Sequence, residues 1–138
     1  MSHEQGQVLH KWDTPCAEAS ELYFHRLLDS GEQICFFVTN REAVYEFCFE
    51  QSGPYQVADE AHLAVYQTNE YDRPDNSVSS YWTYTVVGSP WAALFNQATL
   101  AVSFADYTHY CIMTYDGCLD ILSRKPPIIS MVKLPIKK

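Results

Sequence analysis

This sequence predicts an α+β fold: a curved, mostly antiparallel sheet of five to seven strands, half-barrel-like, with two or three helices packed on one face. Three observations lead there. Two Ser/Thr-Pro pairs, Thr14-Pro15 and Ser89-Pro90, each precede a stretch with helical composition. Several runs of β-branched and aromatic residues, bounded by turn residues, read as strands. Asp116-Gly117 between two such runs is a strong hairpin signal.

The first 13 residues are polar apart from Val8, Leu9 and Trp12, and read as a loose arm on which Trp12 docks. A helix is expected next. Thr14 is its N-cap and Pro15 its first residue. Ala19, Leu22, Tyr23, Leu27 and Leu28 form its apolar stripe, and Ser30-Gly31 ends it. Glu32 to Thr39 holds the continuous apolar run Ile34–Val38, a strand buried on both faces. Ala43 to Glu50 alternates, with Tyr45, Phe47 and Phe49 on one side, and reads as the second strand of a hairpin, with a helix from an Asn40 N-cap to a Gly53 stop the alternative.

Ser52-Gly53-Pro54 is expected to break the chain, and Ala58 to Tyr66 to be helical, with a strand over His62–Thr68 the alternative. Residues 69–80 are polar and read as the longest loop. Ser80 to Val87 is a strand ended by Gly88, and Ser89-Pro90 opens a helix to about Ala101. Pro126-Pro127 separates the hairpin from a last strand, Ile128–Leu134, and residues 135–138 form a basic tail. Residues 14–50 and 89–123 share the order helix, strand, strand.

In the hairpin, a loop at Asp116-Gly117 sets Tyr115 opposite Cys118 and Met113 opposite Asp120. One face carries Tyr110, Ile112, Thr114, Leu119, Ile121 and Ser123. The other carries His109, Cys111, Met113, Tyr115, Cys118, Asp120, Leu122 and Arg124, and His109 or Arg124 is the expected partner of Asp120. A solvated sheet face is polar, and neither of these is. The second face must therefore be covered, by curling of the sheet or by a second copy of the chain; a homodimer is expected.

The 138 residues suit one domain, and 47% hydrophobic content suffices for a core without disulfides. The five cysteines (Cys16, Cys35, Cys48, Cys111, Cys118) are odd in number and show no CxxC spacing. They read as small core residues of a reducing, cytoplasmic compartment. The five histidines show no metal-ligand pairing, so neither metal nor other cofactor is expected. No secretory leader or membrane span is legible. Residues 1–123 hold all 17 acids and four bases, a net −13, while residues 124–138 hold five bases and no acid. Such an acidic body repels nucleic-acid phosphates. The basic end is expected to lie across it.

Asp59-Glu60-Ala61-His62 spells a helicase box, but no Walker A loop accompanies it. No Gly-x-Ser-x-Gly elbow is present. His109 and Cys111, two apart on a strand, stand about 7 Å apart at Cα, too far to assure a hydrogen bond.

Aromatic residues make up 14% of the chain. Their flat apolar faces and polar tips suit a pocket or an interface. The first functional expectation is a binding protein for a small apolar or aromatic ligand. Its pocket is lined by Trp82, Tyr84, Cys111, Met113 and Tyr115, with His109 and Asp120 as polar anchors. The second is an acidic protein–protein interaction module of inhibitor or immunity type. The third, a cofactor-free enzyme, uses the His109–Asp120 pair for proton transfer.

Overall fold

The computed structural model describes residues 7–59, 81–98 and 106–135. Its elements are β1 (Val8–Lys11), β2 (Tyr23–Asp29), β3 (Ile34–Thr39), β4 (Ala43–Phe49), β5 (Ser52–Asp59), β6 (Thr83–Val87), α1 (Pro90–Ala98), β7 (Thr108–Met113), β8 (Gly117–Ser123) and β9 (Ile128–Lys133). They form two antiparallel sheets, one ordered β1-β6-β7-β8-β5 and the other β2-β3-β4-β9. The expected α+β fold, with two or three helices on a half-barrel, is thus corrected. The protein is mostly β, with no closed barrel and one helix among the described residues.

The two sheets share one core. Ile34, Phe36 and Val38 of β3 and Tyr45, Phe47 and Phe49 of β4 pack on Tyr110 and Ile112 of β7 and Leu119 and Ile121 of β8. The shared apolar face expected of the β3–β4 hairpin is the face that does this. Trp12 docks between the sheets, its ring 4.8 Å from Tyr110 and 5.7 Å from Phe47. Val8–Lys11 of the expected N-terminal arm form the edge strand β1, paired with β6, and residues 1–6 lie outside the described residues.

The expected helix over Thr14 to Ser30 is the largest local correction. Residues 15–18 form only a turn, closed by the Ala17 N–H bond to the Thr14 carbonyl, and Tyr23–Asp29 is a strand on β3. Local propensity favours a helix, but β3 is apolar on both faces and needs a strand on each side. Pairing Leu27 with Phe36 and Leu28 with Cys35 supplies the second one. Tertiary pairing overrides the weak local preference. With that helix gone, the repeated helix-strand-strand order goes too.

Ser52-Gly53-Pro54 does not break the chain; it begins β5 on the edge of the five-stranded sheet, with a register shift before Tyr55. Proline is tolerated on an edge strand. Gly53 is needed because a Cβ there would stand 2.7 Å from the Tyr107 ring. Ala58 and Asp59 are strand, not helix; the remainder of the helix expected to Tyr66, the loop expected over 69–80 and the last turn of the helix expected to Ala101 lie outside the described residues.

Gly88, with φ of 77°, turns the chain from β6 into α1. The Ser89 hydroxyl accepts the Ala92 N–H and so caps α1 as expected. The helix lies on the outer face of the five-stranded sheet, where Trp91 meets His109 and Asn96 bonds the Tyr107 backbone. The result is three layers: four-stranded sheet, five-stranded sheet, helix. No helix among the described residues is long and apolar enough to cross a membrane.

Phe47 is fully buried between the sheets. Phe47→Ala is expected to lower the unfolding free energy by about 3–5 kcal/mol in urea denaturation. Leu94→Ala, on the exposed side of α1, should stay within about 0.5 kcal/mol of the parent.

Candidate functional site

The β7–β8 hairpin carries the buried chemistry, and its register differs from the expected one. The loop is Tyr115-Asp116 rather than Asp116-Gly117, closed by the Thr114 N–H bond to the Gly117 carbonyl. Asp116 is drawn into the loop because its carboxylate accepts the Phe24 N–H and the Thr114 hydroxyl. The slip is two residues, so each side chain keeps its face. The partners change: Met113 faces Cys118, and Asp120 faces Cys111 instead of Met113.

This slip sets Asp120 diagonally beside His109. The imidazole Nε2 lies 2.7 Å from Asp120 Oδ1, and Nδ1 lies 2.8 Å from Ser89 Oγ. With a neutral imidazole, Ser89 accepts the Ala92 N–H and donates to Nδ1, and Nε2–H donates to the carboxylate. The Trp91 ring stands edge-on to the imidazole at 5.1 Å. Cys118 Sγ is 3.9 Å from Asp120 Oδ2 and 3.7 Å from Cys111 Sγ. The bond to Cys118, then burial, then the Asp120 charge hold the Cys111 thiol well above its ordinary pKa. It is therefore a thiol and not a nucleophilic thiolate.

Hydroxyl, imidazole and carboxylate in that order have the connectivity of a hydrolytic relay. Yet Ser89, His109 and Asp120 are 5%, 4% and 2% exposed. Their evident work is mechanical, joining the first turn of α1 to the middle of the sheet through hydrogen bonds that leave few buried polar atoms unmatched. Cys111, Cys118 and Asp120 have ligand atoms close enough for a metal ion. All three are enclosed in the core, and Asp120 is already bonded to His109.

Of the seven lining residues expected from the sequence, five gather here. Tyr84, His109, Cys111, Met113 and Asp120 share the outer face of the five-stranded sheet. Tyr84 and Cys111 are fully enclosed, and Tyr84 donates its hydroxyl to the Tyr81 carbonyl. The other two diverge. Trp82 donates its indole N–H to the Ala19 carbonyl and leans on Tyr115, which stands 53% exposed at the hairpin tip against Tyr23. Ser89 and Trp91 belong to the cluster and were not anticipated as site residues. The available signal was a serine between a strand end and a helix start, just after the strand that neighbours β7.

A second concentration of unusual side chains lies on the opposite side of the molecule. The outer face of the four-stranded sheet and its edge strand β9 expose Leu28, Ile128, Met131, Val132 and the following Leu134. Five of the nine large exposed apolar side chains among the described residues thus belong to this sheet and its last strand. Cys35 and Cys48 sit directly opposite each other on the same outer face.

Removing Asp120 leaves the buried Nε2–H of His109 without its carboxylate. Asp120→Ala should destabilise the fold by about 3–5 kcal/mol, and Ser89→Ala by the about 0.5–2 kcal/mol of a lost cap. Urea midpoints that rank the two the other way would contradict the relay as the anchor of α1.

Comparison with protein-family models, curated protein sequences and solved structures finds no match to this chain.

Proposed function

We propose that the chain is a protein-interaction module that assembles through the open edge of β9, with a second copy of itself as partner. The observation that carries this is the pattern of β9, Ile128-Ile129-Ser130-Met131-Val132: apolar, apolar, polar, apolar, apolar, symmetric about Ser130. Exposure of Ile128, Met131 and Val132 is 58%, 46% and 65%. A two-fold interface needs such self-complementarity.

The sheet edges differ in how they are protected. β1 has four residues. β2 has a register irregularity between Phe24 and Arg26, and β5 has both an irregularity and Pro54. Short length, bulges and proline are the usual devices against unwanted pairing. β9 has six residues, no proline and an unbroken register with β4. Its outer side pairs with no described strand.

The hydrogen-bonding phase specifies how two copies would meet. Leu134 N–H donates to the Glu42 carbonyl. In an antiparallel ladder bonded residues alternate, so Val132, Ser130 and Ile128 bond toward β4. Ile129, Met131 and Lys133 then direct their N–H and C=O groups outward. A two-fold axis at Ser130 sets Ile129 opposite the partner's Met131 in a hydrogen-bonded pair, and Ile128 opposite the partner's Val132 on the outer face. Lys133 and the partner's Lys133 are then six residues apart along the strands. That is about 20 Å, beyond the screening length of about 8 Å at physiological salt. The two Lys133 side chains therefore do not repel each other appreciably.

This reading keeps the homodimer expected from the sequence, on a different surface, and sets the ligand pocket aside. The support for that choice is the packing of Tyr84, His109, Cys111 and Asp120 against their own neighbours and α1.

The test is oxidative cross-linking. Ser130 falls at a non-hydrogen-bonded pair, where Cα atoms approach to about 4.5 Å, a separation that a disulfide spans. Ser130→Cys should give a covalent dimer of the 15.9 kDa chain under mild oxidation, and Met131→Cys should not. Val132→Lys, which puts a charge on the exposed side of the seam opposite the partner's Ile128, should sediment as a monomer with an unchanged circular dichroism spectrum. A parent chain that sediments as a monomer at every concentration tested rules the assembly out.

A further inference from the structure

We propose that Cys35, Cys48 and Glu46 bind a thiophilic divalent cation, zinc by their chemistry, on the outer face of the four-stranded sheet. The ligands come from β3, β4 and the turn before β3, and β9 touches them where Ser130 donates to Glu46.

Backbone phase brings the two thiols together. The β3–β4 hairpin is closed by the Asn40 N–H bond to the Ala43 carbonyl. Alternation from that pair makes Cys35 and Cys48 a non-hydrogen-bonded pair, the kind whose side chains stand closest. Their sulfurs are 2.9 Å apart. Glu46 lies two residues before Cys48, on the same face, and its carboxylate and both sulfurs all lie within 4.8 Å of one another. Gln33 Oε1 approaches Cys48 Sγ at 3.1 Å from the turn before β3. Two sulfurs and two oxygens thus converge from a rigid two-stranded frame.

A divalent cation bound here takes the place of the thiol protons. Two thiolates on tetrahedral zinc, at about 2.3 Å from the metal, stand about 3.8 Å apart. The pair need only open by rotation about χ1, and the half-exposed Cys48 gives an ion a way in from solvent. Soft sulfur with a carboxylate selects zinc over magnesium or calcium, which take oxygen ligands. The other sulfur–carboxylate group, at Cys111, Cys118 and Asp120, has no such exposed member.

The experiment is titration of the full chain, fully reduced and under anaerobic conditions, with Zn²⁺ and with Co²⁺ as a spectroscopic probe. One ion per chain is expected, with the thiolate-to-cobalt charge-transfer band and the visible bands of a tetrahedral site. Up to two protons should be released per ion, so affinity should rise by up to about 100-fold per pH unit while both thiols are protonated. Cys35→Ser and Cys48→Ser should each abolish the charge-transfer band or halve it, and Cys16→Ser should leave it intact. Glu46→Gln, which keeps the shape of the side chain and both thiols, guards against variants that fail to fold. It should weaken binding by at least the ~10-fold that loss of even an outer partner costs. A reduced parent chain that takes up no metal overturns the proposal. So does a signal that survives loss of both Cys35 and Cys48, or a pair that only oxidises to a disulfide and, once reduced again, refuses both ions.

Discussion

Every residue of β8 is buried, from Gly117 to Ser123. That constraint organises the molecule. A strand buried along both faces needs a layer on each side, and backbone partners on both edges. β7 and β5 provide the edges. The four-stranded sheet covers one face with Phe36, Phe47 and Phe49. On the other face, α1 covers the part of the hairpin that bears His109. The three-layer arrangement follows from one strand that cannot be exposed anywhere.

The polar cluster is a consequence of the same burial. Asp120 lies on a strand with no wet side, so its carboxylate needs a hydrogen-bonded partner in place of water. His109 supplies it, and the second ring nitrogen then needs its own partner, which Ser89 provides. Ser89 can donate to it because the helix N-cap uses a lone pair of the hydroxyl oxygen and leaves the O–H available. A chain of three side chains thereby ties the start of α1 to the centre of the sheet. Its resemblance to a hydrolytic relay is one of connectivity; its enclosure makes it an anchor.

The outer face of the four-stranded sheet is under no such constraint, and there the chain leaves apolar and soft groups accessible. Arg26 lies over the Phe37 ring, and Ser130 donates to Glu46. These contacts give the face a partly polar skin. Ile128 and Val132 remain outside it, as does the half-exposed Cys48. The molecule therefore has a closed side, where the polar groups serve the fold, and an open side, where β9 and the Cys35–Cys48 pair are in reach of other molecules.

Some of this was determined by the sequence alone. Period-two alternation in Ala43–Phe49, the apolar run at Ile34–Val38, the Ser89-Pro90 helix start and the two-sided apolar hairpin are local patterns, and each is found where the pattern places it. That Asp120 pairs with His109 or Arg124 was legible because all three fall on one apolar face; the fold gives it His109 and sets Arg124 on Tyr107. Tertiary structure decided the rest. Residues 14–29 have helical spacing, yet β3 required a strand beside it, and the energy of one sheet edge exceeds a helix propensity of a few tenths of a kcal/mol per residue. Gly53-Pro54 punctuates the sequence, yet an edge strand tolerates both residues, and the ring of Tyr107 makes the glycine necessary. Hairpin register depended on Asp116 reaching Phe24, 92 residues away. The meeting of Cys35 with Cys48 depended on ladder phase, which cysteine spacing does not encode. Local periodicity reports which face a residue occupies; only long-range pairing reports what stands opposite it.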